Sequence, residues 1–279
     1  MEKKSSFRGE ENIKIDDIFS LKCGQMIDIC LFGRGMDRVL NIISDWLDSK
    51  AKNKWIATIN PEFVMKSTKD VEFKKLLKKT DLNVVDGIGL IWAKKIEGES
   101  FKKRVKSGFK IGKEILKGKY KEELVAGSDL MSELCGLAAE KKYKVFFLGG
   151  FGDRAQRTAD FFKSKYLNLN GRVEWSSGEP EFGNDYVLEK INKFKPDILF
   201  VAYGMKKQEE WIYQNKNKAE FGVVIGVGRS FDYYSGDLKR APESWRKIGM
   251  EWLYSLIKEP KRIKRQLELP KFVWKVLKG

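Results

Sequence analysis

The amino-acid sequence predicts an α/β fold, with a Rossmann-like, mostly parallel sheet flanked by helices and a basic helical C-terminal appendage. Three observations predict it. Short apolar runs of strand length recur along the chain, and most are followed by glycine and polar residues. Segments with apolar residues at helical spacing lie between these runs, and basic residues are concentrated near the C-terminus. Alternation of strand, loop and helix is typical of parallel sheets.

The apolar runs define the expected strands, and the spacing between them defines the expected helices. We predict strands at residues 26–32, 55–57, 82–85, 144–148, 172–175, 198–202 and 221–227. Helical periodicity predicts helices at 37–47, 61–67, 71–79, 89–96, 129–142, 155–165 and 186–194, with a further helix reaching Tyr213. No uninterrupted apolar stretch of about 18 residues occurs, so we expect no transmembrane helix.

Composition removes several kinds of active site. The chain has no histidine, which excludes Ser-His-Asp triads and leaves acid–base chemistry to Asp, Glu, Lys, Tyr or Cys. Cys23, Cys30 and Cys135 have no metal-binding spacing and indicate reduced structural thiols in a cytoplasmic protein. The formal net charge of +16 predicts attraction to nucleic acid, an anionic membrane surface or phosphorylated substrates.

Charge and glycine content suggest a division of the chain into three parts. We expect a polar N-terminal tail at 1–24, a Rossmann-like domain at 25–238 and a basic helical appendage at 239–279. Within the domain, residues 97–123 are rich in lysine and interrupted by glycines, which indicates an inserted surface loop or short helical excursion. Its lysines favour a solvated face.

The appendage combines positive charge with apolar residues. Its 41 residues hold 12 Lys or Arg and 4 Glu, a net charge of +8. Pro260 is expected to start a helix and Pro270 to end it. Interleaved aromatic residues favour an interfacial membrane segment, and a helix packed on the domain is the alternative.

Two strand ends carry polar side chains suited to chemistry. Thr58 and Asn60 follow the strand 55–57, and Asp86 follows the strand 82–85. Ligands bind at such ends in open α/β sheets, because loop side chains and helix N-termini gather there. A second candidate is the glycine run at 149–152, which is typical either of a phosphate cradle or of a tight turn without a ligand.

Ten segments, in order, resemble motifs of the WecG/TagA/CpsF family of bacterial glycosyltransferases. They are T-I-N-P-E-F-V (58–64), D-G-I-G-L-I-W-A (86–93), A-G-S-D-L-M (126–131), V-F-F-L-G-G (145–150), P-D-I-L-F-V-A-Y-G (196–204), K-Q-E-E-W-I (207–212), F-D (231–232), R-A-P (240–242), E-W-L-Y (251–254) and E-P-K-R-I-K-R (259–265). The resemblance covers about residues 26 to 265.

The resemblance implies a reaction and its participants. Family members transfer a sugar, typically N-acetylmannosamine, from a UDP donor to a polyprenyl-diphosphate-linked N-acetylglucosamine at the cytoplasmic membrane face. They invert the anomeric configuration, need no metal, form oligomers in many cases, and use the C-terminal appendage to reach the membrane. We therefore expect no cofactor, a UDP-sugar donor, a lipid-linked acceptor, an anionic membrane surface and a homo-oligomer.

The matching motifs also imply site residues. Asp86 corresponds to the family's proposed base, and Thr58 and Asn60 correspond to positions near the reacting sugar; from sequence alone each could instead be a cap. The motifs imply substrate-binding roles for Gly149, Gly150, Gly204, Gln208, Glu209, Asp232, Arg240, Arg262 and Arg265. As a hypothesis, Arg104 supplies the guanidinium that the family carries where this chain has Leu124.

Further departures keep two alternatives open. Lys206 replaces a proline, Arg229 stands at a small-residue position, and Ser255 replaces an arginine of the resembled motifs. One alternative is a family member that has lost catalysis and binds a sugar nucleotide or a lipid-linked glycan. The other is a basic nucleic-acid-binding protein, although no nucleic-acid motif is found and we expect no nucleic-acid partner.

Overall fold

The structure is a computed structural model that describes residues 18–19, 29–177 and 184–279. For residues 18, 19, 184 and 262 it describes the backbone alone. Cys23, most of the predicted N-terminal tail and the first part of the predicted strand 26–32 lie outside the described residues. Within that tail, residues 18–19 form a short strand.

The described strands form one eight-stranded sheet. They are β1 (Ile18–Phe19), β2 (Leu31–Phe32), β3 (Lys54–Ile59), β4 (Leu82–Val85), β5 (Val145–Gly149), β6 (Val173–Ser176), β7 (Ile198–Ala202) and β8 (Val223–Gly226). Their order is β1-β2-β4-β3-β8-β7-β5-β6, and only β1 runs antiparallel to its neighbour. The predicted α/β class with a mostly parallel sheet is confirmed.

Helices flank the sheet and continue beyond its last strand. They are α1 (Met36–Asp48), α2 (Pro61–Ser67), α3 (Val71–Leu77), α4 (Ile88–Lys95), α5 (Phe101–Leu116), α6 (Gly127–Lys141), α7 (Arg154–Lys165), α8 (Asn184–Phe194), α9 (Lys207–Asn215), α10 (Ser230–Tyr234), α11 (Glu243–Lys247), α12 (Glu251–Lys258), α13 (Ile263–Gln266) and α14 (Glu268–Lys278). Short 3₁₀ turns lie at Lys121–Glu123, Leu167–Leu169 and Pro260–Arg262.

Both faces of the sheet are covered, as parallel strands require. The apolar residues of β3 show this, because Ile56 belongs to the core under α1, α6 and α7. Its neighbours Trp55 and Ala57 point to the other face, Trp55 under α8 and α9 and Ala57 under α2, α3 and α4. Side chains alternate along a strand, so both faces must be apolar here. The continuous apolar runs in the sequence have this origin.

The basic segment 97–123, predicted to be an inserted surface loop or a short helical excursion, is helical over most of its length, as the 16-residue helix α5. Gly108, one of the glycines that interrupt the predicted pattern, lies against Trp92 of α4. A Cβ atom at Gly108 would come within 2.9 Å of the Trp92 ring, and the indole nitrogen donates to the Gly108 carbonyl oxygen at 3.0 Å. The glycine therefore permits close helix packing.

The C-terminal helices return to the body of the protein. Phe272 and Val276 of α14 are fully buried in the core shared with α2 and α4. The prediction that Pro270 ends a helix is wrong, because Pro270 lies in the first turn of α14. Backbone N–H groups there have no partner within the helix, so proline costs little. In the described part of the chain, no helix combines the length and apolar character needed to cross a bilayer.

Candidate active site

A cleft of about 330 Å³ lies at the carboxyl ends of β3, β4, β7 and β8. The pairing of β3 with β8 joins two parts of the sheet that are distant in sequence, so four strand ends meet here. The body lines the cleft with residues that include Thr58, Asn60, Asp86, Ser128, Gly204, Gln208 and Arg229. The appendage lines it with Arg246, Glu251, Trp252, Ser255 and Arg265, among others.

Asp86 follows β4 and is fixed at its backbone, where its N–H donates to the Ile59 carbonyl oxygen of β3 at 2.7 Å. The residue is partly exposed towards the cleft, yet its carboxyl group is strongly desolvated. Burial raises its pKa to about 7, and the nearby carboxylates of Glu251 and Asp129 act in the same direction. A hydrogen bond from the Gly127 N–H and the charge of Arg240 oppose the rise. The carboxyl group is therefore able to exchange a proton near neutral pH.

Gly127 begins α6 and brings the N-terminal end of this helix against Asp86 and Thr58. A Cβ atom at this position would lie 3.2 Å from Thr58 Oγ1 and 3.4 Å from Asp86 Oδ2. Glycine thus permits the helix N-terminus to approach a carboxylate, an arrangement that favours the charged form. The motif A-G-S-D-L-M was recognised in the sequence, but this contact was not predicted.

Thr58 and Asn60 hold the end of β3 in position beside Asp86. The Thr58 hydroxyl donates to the Gly226 carbonyl oxygen of β8 at 3.1 Å. Asn60 Oδ1 accepts from the Glu62 and Phe63 N–H groups at 2.9 and 3.1 Å, so it caps α2. The capping interpretation of Asn60 is therefore confirmed, and the structure also places the residue in the cleft wall.

Gln208 reaches the cleft, and Glu209 supports it from behind. Gln208 Oε1 accepts from the Gly228 N–H at 3.0 Å, and its Nε2 donates to Glu209 Oε1 at 2.7 Å. Glu209 is fully buried and also accepts from the Lys206 N–H at 2.7 Å. Burial raises the pKa of Glu209 to about 7. Glu209 does not line the cleft, so it positions Gln208 and the loop after β7.

Three arginines line the cleft, each held by a carboxylate. Arg265 donates to both oxygens of Glu62 at 2.8 Å. Arg229 contacts Glu259 at 2.5 Å and Asp232 at 3.3 Å. Arg246 donates to the Ala241 carbonyl oxygen and lies 3.5 Å from Asp129. These planar cations suit phosphate oxygens. Sequence motifs did not mark Arg246 as a site residue.

Arg240 lies behind the cleft wall in a cluster with Asp129 and Glu251. It contacts one Asp129 oxygen at 3.0 Å and Glu251 Oε1 at 3.0 Å. Both carboxylates act on Asp86 through their charge, as does Arg240 itself. Arg240, predicted to bind substrate, therefore does not line the cleft, and instead neutralises the carboxylates of Asp129 and Glu251 near Asp86.

Several other predicted residues lie outside the cleft. Gly149 ends β5 and Gly150 follows it. Cβ atoms added at these positions would crowd Tyr203 and Phe231, respectively, so a tight packing turn accounts for both glycines. Asp232 pairs with Arg154 at 2.8 Å. Arg104 donates to the Val276 and Leu277 carbonyl oxygens of α14 at 3.3 and 3.5 Å. The side chain of Arg262 lies outside the described residues.

Three of the departures from the resembled motifs, Leu124, Arg229 and Ser255, line the cleft. Lys206 lies beside it, with a φ of 75° that a proline cannot adopt, and its amine contacts Asp70 at 2.7 Å. No group of three or more Cys, Asp or Glu residues suited to holding a metal ion occurs within the described ranges.

Comparison with known proteins identifies the family of the chain. The family model for the glycosyl transferase WecG/TagA/CpsF family matches residues 25–118 and 107–279. Two proteins of Staphylococcus aureus, from strains MW2 and NCTC 8325 / PS 47, are each 29% identical to this chain over 244 residues, covering 88% of it and 87% of the relative. Both are named N-acetylglucosaminyldiphosphoundecaprenol N-acetyl-beta-D-mannosaminyltransferase. The chain belongs to the WecG/TagA/CpsF family of glycosyl transferases.

Proposed function

We propose that this protein transfers N-acetylmannosamine from a UDP donor to N-acetylglucosamine carried on a polyprenyl diphosphate. The names of the Staphylococcus aureus relatives support the acceptor and the transferred sugar. Products of this kind serve the synthesis of teichoic acid and other cell-surface polysaccharides. The cleft between body and appendage gives both substrates a shared site.

One observation carries the mechanism, namely the carboxyl group of Asp86 in the cleft with its pKa raised to about 7. We propose that Asp86 acts as the general base. The acceptor hydroxyl oxygen attacks the anomeric carbon, its proton passes to Asp86, and the bond to the UDP oxygen breaks with its electron pair on UDP. Attack from the face opposite UDP inverts the anomeric configuration. A base with a pKa near the working pH is effective in such a step.

We propose that guanidinium groups, without a metal ion, neutralise the charge that develops on the departing diphosphate. Arg229, Arg246 and Arg265 line the same cleft as Asp86. Cations held in place before the reaction stabilise developing negative charge without reorganising. Their carboxylate partners, such as Glu62 for Arg265, hold them in fixed orientations.

We infer that the protein works at the inner surface of the cell membrane, attached peripherally. A polyprenyl acceptor keeps its diphosphate near the lipid headgroups, so the cleft must reach that surface. The net charge of +8 over residues 239–279 favours attraction to anionic lipid.

The test is transfer from UDP-N-acetylmannosamine to a soluble lipid analogue bearing diphosphate-linked N-acetylglucosamine, with EDTA present. We expect wild-type protein to form product with a β linkage, read from the anomeric proton by NMR. Asp86→Asn should lower kcat by about 10²- to 10⁴-fold, since it keeps the shape but removes the base. Glu189→Gln, which neutralises an exposed carboxylate outside the cleft, serves as the control.

Each part of the proposal has its own contradicting outcome. Product that requires added divalent metal would overturn metal independence. An α-linked product would overturn inversion, and full activity of Asp86→Asn would overturn the base assignment. Absence of product with this donor but transfer from another UDP-sugar would correct the sugar alone.

A further inference from the structure

Helix α5 presents an exposed face with two adjoining zones. Phe101, Phe109 and Leu116 are 49%, 72% and 54% exposed, which is unusual for three large apolar residues on one helix. Six lysines of the same segment are also exposed: Lys102, Lys103, Lys106, Lys110, Lys113 and Lys117. We call these nine residues the α5 face.

The two zones lie side by side on the helix. With about 3.6 residues per turn, the three apolar side chains fall within about a quarter of the circumference. The six lysines occupy roughly the adjoining third. Neither zone is an isolated exposed residue, so the α5 face is an amphipathic surface of the kind that lies along a membrane interface.

The opposite side of α5 is fixed to the protein. Gly108 packs on Trp92, and Arg104 binds the carbonyl oxygens of Val276 and Leu277 at the end of α14. Ile115 is buried against Gly249, and Gly249 lines the cleft. The α5 face is therefore a rigid surface whose C-terminal end lies beside the cleft.

In the part of the chain that the structure describes, carboxylates form no ion pair with the lysines of the α5 face, although the charge of Lys110 acts on Glu114. Glu114 is the one acidic residue between Phe101 and Lys117, and it is bound to Tyr120 and Lys119. Among the residues that the structure describes, no ion pair within 4.0 Å is found for any of the six lysines. Their charge remains available to a partner.

We propose that the α5 face binds an anionic lipid surface, with the apolar zone at the level of the upper acyl chains and the lysines at the headgroups. A lipid surface matches both zones, because lysines attract anionic headgroups and apolar side chains gain by leaving water. A second copy of the same face would oppose lysines to lysines, which disfavours a symmetric dimer there. The proposal extends the peripheral membrane location proposed above to an element outside the appendage, and it does not depend on the reaction.

The test is co-sedimentation with phosphatidylcholine vesicles containing about 30% phosphatidylglycerol, compared with phosphatidylcholine alone. We expect Lys106→Gln/Lys110→Gln to weaken binding to the anionic vesicles about tenfold or more. Phe101→Ser/Phe109→Ser should weaken it about as much. The matched controls are Lys193→Gln/Lys218→Gln and Phe151→Ser/Leu167→Ser, which change exposed residues elsewhere.

Transfer to a water-soluble acceptor, measured on the same variants, separates this proposal from the proposed reaction. All four variants should keep wild-type transfer, because none of the changed residues lines the cleft. Vesicle binding that is unchanged in both α5 variants would overturn the proposal, whatever the enzyme assay shows. Tighter binding to an oligonucleotide than to vesicles, lost in the lysine variant but kept in the phenylalanine variant, would overturn it in favour of a nucleic-acid surface.

Discussion

At the scale of single residues, burial of the Asp86 carboxyl group raises its pKa and lowers the stability of the folded protein at neutral and higher pH. Its pKa in the folded protein is about 7, above the ordinary value of 3.8, so the folded state binds this proton more tightly than the unfolded chain. Stability from this group is present below about pH 4 and is lost as pH rises towards 7. Asp86→Asn removes the ionisation, so we expect the variant to be more stable than wild type at about pH 8, on the order of 1–3 kcal/mol.

Urea unfolding at about pH 5 and pH 8 measures this difference. The gain should shrink at the lower pH, where Asp86 is already protonated in wild type. Asp185→Asn, the same substitution at an exposed helix position, is the control. An Asp86→Asn variant that is less stable than wild type at pH 8 would contradict the desolvated environment.

Arg246 carries a second prediction at this scale. It lines the cleft and lies 3.5 Å from Asp129, and under the proposed function we expect its guanidinium to meet the diphosphate of the donor. Arg246→Met should weaken UDP binding by roughly 10- to 100-fold, since it removes a charge-assisted hydrogen-bond donor. Arg172→Met is the control, because Arg172 binds the Lys142 carbonyl oxygen outside the cleft. Calorimetry that finds equal UDP affinity in wild type and Arg246→Met would exclude this role.

Sequence reasoning found the residues that directly follow strands and missed those supplied by distant segments. Thr58 lies near the end of β3, and Asn60 and Asp86 directly follow β3 and β4, so the parallel arrangement of the strands predicts that they meet. Arg246 lies in a helix of five residues without a clear periodic pattern. Glu251 lines the cleft because the appendage packs against it, which the sequence alone does not show. Gly149 and Gly150 were misleading, because a glycine run after a strand serves turn packing as readily as phosphate binding.

At the scale of elements, helix α14 has one face buried in the core and another exposed to solvent. Phe272 is 1% exposed among α2 and α4 residues, whereas Trp274 on the same helix is 54% exposed. Phe272→Ala should lower the free energy of unfolding by about 3–5 kcal/mol. Trp274→Ala, the matched change on the outer face, should cost under about 1 kcal/mol. Equal effects of the two substitutions in urea unfolding would show that α14 is not part of the core.

Helix α5 shows why the spacing of residues within one segment did not predict a helix of this length. Its glycines argue against a helix because each costs about 1 kcal/mol relative to alanine. The structure reveals the compensation at Gly108, where the absence of a side chain admits Trp92. Such a gain depends on a partner from another helix, which periodicity within one segment does not show. For Gly112, by contrast, no atom from another part of the described chain lies within 4 Å of an added Cβ atom.

At the scale of the whole molecule, strand order determines which side chains share the cleft. The sequence predicts the strands and their parallel arrangement, but not that β8 pairs with β3. That pairing brings Gly226 against Thr58, and Gln208 packs on Gly226 in the wall of the same cleft. The appendage adds Arg246 and Arg265 to the lining of this cleft. Sheet order and appendage docking are long-range packing outcomes, which is why motifs identified the family more readily than the full site.

The most direct test of the central claim is the pH dependence of kcat/KM for transfer to a soluble acceptor, in wild type and Arg240→Met. Wild type should lose activity on the acid side with an apparent pKa near 7, the value that burial gives Asp86. The charge of Arg240 lowers the pKa of Asp86, and Arg240 also pairs with Glu251 and Asp129, whose charges raise that pKa. Loss of Arg240 should therefore raise the pKa of Asp86 and move the acid limb to higher pH. A wild-type profile without an acid limb between about pH 5 and 8, or a limb that Arg240→Met leaves in place, would contradict Asp86 as the base.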